Sequence, residues 1–124
     1  MIAVGVAMKT LRRDLFVSSV LGLYVEMPDT PPQANEQDRE RARRLFAGQV
    51  SLEIVETALV LASVRRLMRP PKAPSLPRVR SLAYFQPVIE ELLQQPPGHG
   101  YLGYLRRKLA ACTGQPARQP EAGS

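Results

Sequence analysis

One stretch of the sequence decides the fold: SLEIVETALVLASVRRLMR, residues 51–69. Ser51 is a favourable N-cap, and Glu53 places negative charge in the first turn of the helix that follows. Apolar residues recur at helical spacing in two adjoining stripes: Leu52, Val55, Leu59 and Ala62 form one, and Ile54, Ala58, Leu61 and Met68 form the other. A helix that is apolar over so much of its circumference is buried, so we predict that residues 51–69 form the central helix.

Four further helices are predicted on either side of this one, and no segment alternates strongly enough to predict a strand. Their ranges are 10–25, 35–47, 81–95 and 100–112. In the first helix, the expected packed face consists of Leu11, Leu15, Val20 and Leu23. In the second, Asn35 is the expected N-cap and Gly48 the expected stop.

Pro87 leaves two alternatives for the fourth helix. The helix could begin at Pro87, where a missing N–H costs nothing, or it could run on from Ser81 with a kink. Leu82, Phe85 and Ile89 share one face at helical spacing, which favours the kinked continuous helix.

The predicted organisation is all-α: a compact bundle of about five helices within a single domain, residues 1–112. Residues 70–80 follow the central helix and are rich in proline, which indicates an extended, semi-rigid crossing strap. The polar segment 113–124 is rich in Pro and Gly and is expected to be disordered. The opening MIAVGVAM lacks the features of a signal peptide and is shorter than the ~20 apolar residues of a membrane span, so we expect a cytoplasmic protein without membrane contact.

Charge is distributed unevenly along the chain. The net charge is +6, yet residues 1–64 carry seven basic and eight acidic side chains, whereas residues 65–124 carry ten basic and three acidic. A strongly basic half is typical of proteins that bind nucleic acid. The expected partner is therefore nucleic acid, most naturally DNA, bound with low sequence specificity through the phosphate backbone.

The candidate contacts to nucleic acid are basic residues in three clusters, at the end of the central helix, in the strap and in the last helix. They are Arg65, Arg66, Arg69, Lys72, Arg78, Arg80, Arg106, Arg107 and Lys108. Positive charge at a helix C-terminus also stabilises the helix dipole, which is a sufficient reason for Arg66 and Arg69. It does not account for Arg78 and Arg80, which precede a helix. Candidate stacking or partner contacts are Tyr84, Tyr101 and Tyr104, whereas Phe85 is expected in the core.

Residues that could support catalysis or bind a metal are sparse. His99 is the only histidine and lies between two glycines, and Cys112 is the only cysteine, with no histidine near it. No glycine-rich phosphate loop has the required spacing. We therefore expect no enzymatic activity, no cofactor and no metal.

Two segments, DRERARRLFAGQVSLEIVETALVLAS and RSLAYFQPVIEELLQ, resemble the C-terminal helical module of DnaD-like and replication-initiator-type proteins of bacterial mobile elements. The resemblance spans about residues 38–95, with Tyr84-Phe85 and Ile89 to Leu93 at the matching places. It implies DNA binding or remodelling and contact with a protein partner of a replication complex, without catalysis. The chain departs from that pattern because it lacks Trp, and because only some 35 residues precede the matching region, too few for the usual winged-helix half.

The leading hypothesis is therefore a non-enzymatic nucleic-acid-binding module, accessory to DNA replication or mobile-element maintenance. A protein–protein interaction module is the alternative, with the apolar side of the first helix and the YLGYL face, residues 101–105, meeting a second copy or another protein. A third alternative is a truncated relic of a larger DNA-binding protein. The sequence leaves open the oligomeric state, the choice between DNA and RNA, and whether the basic clusters share one face.

Overall fold

A computed structural model describes residues 2–114, with side chains from residue 5 onward. The described chain is all-helical, as predicted, and contains no strand. Its elements in order are α1 Ile2–Glu26, α2 Glu36–Ala47, α3 Leu52–Leu67, a 3₁₀ turn Leu82–Phe85, α4 Gln86–Gln94 and α5 Tyr101–Thr113. Most of the segment predicted to be disordered, residues 115–124, lies outside the described residues. Thr113, the first residue of that segment, belongs to α5.

Helix α3 is the centre of the bundle, as its two apolar stripes predict. Every residue from Thr57 to Val64 is buried, and α1, α4 and α5 all pack against this helix. The hydroxyl of Ser51 accepts a hydrogen bond from the Ile54 N–H at 3.1 Å and so caps the helix. The helix ends at Leu67, two residues before the predicted end, and Met68 is exposed rather than packed in the second stripe.

Helix α1 differs from the prediction in its length and in the face that it buries. It begins at Ile2 rather than at residue 10, and Leu11 and Leu15 are 53% and 60% exposed. Two residues of the predicted face, Val20 and Leu23, do pack against the core, and Val17, Leu21 and Tyr24 complete that face. Leu11 and Leu15 share a face with each other, but they lie on the part of α1 that extends past α2, where none of the described helices buries them.

Helices α1 and α2 run antiparallel. The ring of Phe16 contacts that of Phe46 with centroids 5.5 Å apart, and Tyr24 lies within electrostatic range of Asp38 at the other end of α2. Because α2 ends at Ala47, about fourteen residues of α1 project past it, roughly 20 Å at 1.5 Å per residue. This projection is one wall of the groove described below.

The predicted ends of α2 are confirmed. Asn35 and Asp38 form a reciprocal capping box, with hydrogen bonds of 2.9 and 3.0 Å. Gly48 is the C-cap, but its φ is −81°, and the left-handed residue is Gln49, with φ 63°. Left-handed backbone is costlier for Gln than for Gly, so the turn into α3 is formed at some conformational cost.

Pro87 decides the start of α4, and the prediction of a kinked continuous helix from Ser81 is wrong. The chain enters through a 3₁₀ turn that is capped by the Ser81 hydroxyl, and the α-helix begins at Gln86, so that Pro87 lies in its first turn. A proline there removes no helical hydrogen bond, whereas deeper in a helix it would. Leu82, Phe85 and Ile89 still share the buried face, as predicted.

Candidate nucleic-acid interface

The proline-rich strap is fastened to the bundle by Arg66, whose side chain is only 11% exposed. Its guanidinium donates to Asp29 Oδ2 at 2.6 Å, to the carbonyl oxygen of Pro77 at 3.0 Å and to the hydroxyl of Tyr84 at 3.2 Å. The same guanidinium lies 5.3 Å from the centre of the Tyr84 ring, a cation–π contact. One arginine at the end of α3 therefore joins the α1–α2 connection, the strap and the 3₁₀ turn.

Two further hydrogen bonds hold the strap. Arg69 donates to the carbonyl oxygen of Pro74 at 2.7 Å, and the Val79 N–H donates to the carbonyl oxygen of Asp29 at 3.0 Å. The Val79 side chain is buried, whereas Arg78 and Arg80 on either side of it are exposed. The backbone is thus fixed, and it carries two exposed cationic side chains.

Arg78 is partly neutralised where it leaves the strap. Its Nε lies 3.3 Å from Asp29 Oδ1, so the single carboxylate of Asp29 faces both Arg66 and Arg78. The Arg78 side chain nevertheless remains 71% exposed. Two guanidinium groups around one carboxylate leave a net positive charge at this point, before Arg80 is considered.

Arg65 of α3 forms an exposed ion pair with Glu91 of α4. Its two terminal nitrogens donate to the two carboxylate oxygens of Glu91 at 2.9 and 2.7 Å, in bidentate geometry. These hydrogen bonds raise the pKa of Arg65 and lower the pKa of Glu91. Both side chains are about half exposed, so the pair contributes little to stability. The pair does, however, occupy the two guanidinium nitrogens of Arg65 that could otherwise bind a phosphate.

The cluster on α5 lies apart from the clusters at the end of α3 and in the strap. Arg106 donates to Glu56 Oε2 at 2.7 Å, near the beginning of α3, whereas Tyr101 lies within electrostatic range of Arg65, near the end of α3. Helix α5 is therefore antiparallel to α3. Arg65 lies nine positions after Glu56 in α3, which is about 14 Å along the helix axis. The predicted basic residues thus divide into two groups at opposite ends of α3.

The predicted basic residues also differ in their partners within the described part of the chain. Four of them form ion pairs with carboxylates: Arg65, Arg66, Arg78 and Arg106. Arg69 donates to a carbonyl, and Lys108 lies 3.4 Å from the Tyr104 hydroxyl. Lys72, Arg80 and Arg107 have no acidic partner there. The strap therefore holds two of the three cations that are most available to an external anion.

The three candidate tyrosines already have neighbours. Tyr84 packs edge-on against buried Phe85 with ring centroids 5.2 Å apart, and Tyr101 stacks on Tyr104 at 6.2 Å. Lys108 lies 5.6 Å from the centre of the Tyr104 ring. Tyr84 and Tyr104 nevertheless remain 43% and 48% exposed. Phe85 is fully buried, as predicted.

Sequence reasoning overlooked a second cationic surface, on α1 and α2. A groove of about 920 Å³ is lined by Lys9, Arg12, Arg13, Arg43 and Arg44, and the one acidic residue in its lining is Glu40. A smaller pocket of about 270 Å³ brings Arg41 and Arg44 beside Ser81, but Asp38 and Glu40 also line it, so it adds no net positive charge. The sequence does contain a signal for this surface, namely the clusters of basic residues at 9–13 and 41–44. The net charge of the first half of the chain, which is slightly negative, conceals these clusters.

The histidine and the cysteine that the sequence offers for chemistry both lie at the surface of the described chain. His99 is an exposed residue of the loop before α5, and Cys112 is exposed on α5. No group of three His, Cys, Asp or Glu side chains within this range could hold a metal ion. None of the helices in this range has the length and apolar character needed to cross a membrane.

Comparisons with known proteins give no relative: no family model matches the chain, and no curated protein and no solved structure matches it. The resemblance to DnaD-like modules therefore stays a prediction from residues 38–95.

Proposed function

We propose that this protein is a non-enzymatic helical module that binds the phosphate backbone of nucleic acid through the strap and the end of α3. The carrying observation is the alternation at Arg78, Val79 and Arg80. The buried valine and the hydrogen bond from its N–H fix the backbone. Arg80 is thereby held in solvent, and Arg78 lies against Asp29 and Thr30 but stays 71% exposed. A preorganised cationic edge loses less conformational entropy on binding than a flexible one.

Arg69 and Lys72 extend this edge toward the end of α3, since both are exposed and neither has an acidic partner in the described part of the chain. Contacts to phosphate carry no base information, so the binding is of low sequence specificity. Together with the resemblance to DnaD-like modules, this chemistry supports a role as an accessory to DNA replication or to maintenance of a mobile element.

The test is fluorescence anisotropy with a labelled DNA duplex and a labelled single strand, titrated at about 50 and 200 mM salt. If Arg69, Lys72, Arg78 and Arg80 each contact one phosphate, the affinity should fall by about a hundredfold between those salts. The double variant Arg78→Glu/Arg80→Glu removes two of the contacts and should reduce the slope of log K against log salt by about 2. Circular dichroism of the variant checks that the fold is retained.

A matched control carries the same change of charge elsewhere. Lys9→Glu/Arg12→Glu alters the groove between α1 and α2, and at 150 mM salt, where the Debye length is about 8 Å, it should change DNA affinity by less than about threefold. Equal losses in both double variants would mean that net charge, rather than the strap, carries the binding. Absence of binding to either probe at the lower salt would refute the proposed function.

A further inference from the structure

The groove described above between α1 and α2 is separate from the strap and has a partner chemistry of its own. We name it the α1–α2 groove. The projecting half of α1 forms one wall, the end of α2 forms the other, and the turn into α3 closes the base. Along α1 it extends from Val6 to Phe16, about 15 Å or nearly three helical turns.

The floor of the groove is apolar. Phe16 and Phe46 form its centre with their rings in tilted contact, and Val50 and Leu52 continue it toward α3. These four side chains are half-buried, so each keeps an accessible surface. Val6 adds an exposed apolar residue at the far end of the wall, 60% exposed. A continuous apolar floor of this kind is characteristic of surfaces that bind another protein.

The rim of the groove is cationic. Arg43 lies 3.2 Å from Glu36 and 3.1 Å from Glu40, Arg44 lies 3.6 Å from Glu40, and Arg13 lies 3.5 Å from its neighbour Asp14. Even when these three carboxylates are counted against the five lining cations, a net positive charge of two remains.

Two of the rim cations, Lys9 and Arg12, have no acidic partner within residues 5–114. This unpaired positive charge indicates a ligand that carries carboxylates or other anionic oxygens.

A second copy of the chain is a poor occupant because the segment that it could offer is itself basic. The projecting half of α1 carries Lys9, Arg12 and Arg13 against the single acid Asp14. Like charges across an interface oppose association. A nucleic-acid backbone would satisfy the rim but would leave the apolar floor exposed to water.

We propose that the α1–α2 groove docks an acidic amphipathic helix of a partner protein, with apolar residues on the Phe16–Phe46 floor and carboxylates against Lys9, Arg12 and Arg13. The mode is helix-in-groove recognition, in which anchors at i, i+3 or i+4 and i+7 fit the length of the groove. This proposal is independent of nucleic-acid binding at the strap.

The test uses a labelled peptide of about fifteen residues, four helical turns. It has Leu on one face, Glu on the others and a single Trp among the leucines. The protein contains no Trp, so the Trp emission reports only the peptide, and a blue shift on binding reports contact with the apolar floor. One control peptide has Lys in place of Glu, and another has the same composition with the leucines dispersed around the helix.

We expect the acidic amphipathic peptide to bind with a blue shift, and both control peptides to bind at least tenfold more weakly. Lys9→Glu/Arg12→Glu should weaken the binding at least tenfold, and Val6→Ser, at an exposed position outside the core, about three- to tenfold. Arg78→Glu/Arg80→Glu should leave it within about threefold. Lys9→Glu/Arg12→Glu is the test variant for the peptide and the control for DNA, and Arg78→Glu/Arg80→Glu is the reverse. Failure of one proposal is therefore distinguishable from failure of the other.

Four results would overturn the proposal. The control peptides could bind as tightly as the acidic amphipathic peptide, or Lys9→Glu/Arg12→Glu could bind the peptide as the wild type does. A short DNA duplex could displace the peptide, in which case the groove binds nucleic acid. Sedimentation could show a dimer of the wild type that the groove variants lack, in which case the occupant is a second copy.

Discussion

Removal of the Asp38 carboxylate should destabilise the protein far more than removal of a neighbouring acid on the same helix. Asp38 is 2% exposed. One carboxylate oxygen accepts the Asn35 N–H at 3.0 Å and completes the capping box, and the other accepts the Leu82 N–H at 2.9 Å. A single side chain thus closes the start of α2 and holds the 3₁₀ turn that leads into α4.

The magnitude follows from the two contacts that are lost in Asp38→Ala. Half of a capping box contributes about 1 kcal/mol. The Leu82 N–H would be left buried without an acceptor, which costs about 1–3 kcal/mol. We therefore expect the free energy of unfolding to fall by about 3 kcal/mol and the melting temperature by about 12 °C, at about 4 °C per kcal/mol for a chain of this size.

The assay is urea and thermal unfolding followed by circular dichroism. The matched control is Glu36→Ala, because Glu36 lies in the first turn of the same helix but is exposed and pairs only with arginines, so its removal should cost less than about 0.5 kcal/mol. Asp38→Asn keeps one acceptor and should fall between the two. If Asp38→Ala and Glu36→Ala both cost less than 1 kcal/mol, the first-turn dipole explains both acids and the link to Leu82 is not stabilising.

Two further predictions concern other buried groups. The Tyr24 hydroxyl is buried without a hydrogen-bond partner in the described chain, so Tyr24→Phe should raise the free energy of unfolding by about 1 kcal/mol. Burial, and secondarily Asp38, raise the pKa of Tyr24 to about 12 from 10.0. The unfolded state therefore loses the tyrosine proton at a lower pH than the folded state does. As a result, the free energy of unfolding is unaffected below pH 10 and falls as the pH rises toward 12. Between pH 7 and pH 11 the wild type should lose roughly 1 kcal/mol of unfolding free energy relative to Tyr24→Phe, as measured by urea unfolding at the two pH values. Parallel pH profiles would contradict this. Arg66→Ala should cost about 2 kcal/mol and make the strap susceptible to limited proteolysis, whereas Arg65→Ala should cost less than 1 kcal/mol, since the pair with Glu91 is exposed; equal effects would show that Arg66 does not fasten the strap.

The sequence predicts most of the helices because caps and periodicity are local properties. Ser51 and Asn35 start their helices as expected, and α3 is buried on the faces that its stripes indicate. The predicted start of α4 was wrong because the spacing of Leu82, Phe85 and Ile89 on one face is compatible both with a continuous α-helix and with a 3₁₀ turn followed by an α-helix. The missing N–H of Pro87 decides between them.

Periodicity could not predict which face of α1 is covered. Leu11 and Leu15 fit an apolar helical stripe as well as Val20 does, but a stripe is buried only where another element reaches it. Helix α2 ends opposite the middle of α1, and that depends on the length of α2 and on the antiparallel packing. The exposed half of α1, and with it one wall of the α1–α2 groove, therefore follows from tertiary structure alone.

The candidate sites show the same limit, because charge along a chain is not charge in space. The arginines that make the second half basic find much of their counter-charge in the first half: Arg66 and Arg78 share Asp29, and Arg106 pairs with Glu56. Each such pair lowers the unpaired positive charge of the C-terminal half. It also takes up an acid of the N-terminal half, which in the net charge of that half had offset Lys9 and Arg12. Folding therefore shifts unpaired positive charge from the half with a net of +7 toward the half with a net of −1. A second cationic surface on α1 is the expected consequence, and it is where the α1–α2 groove lies.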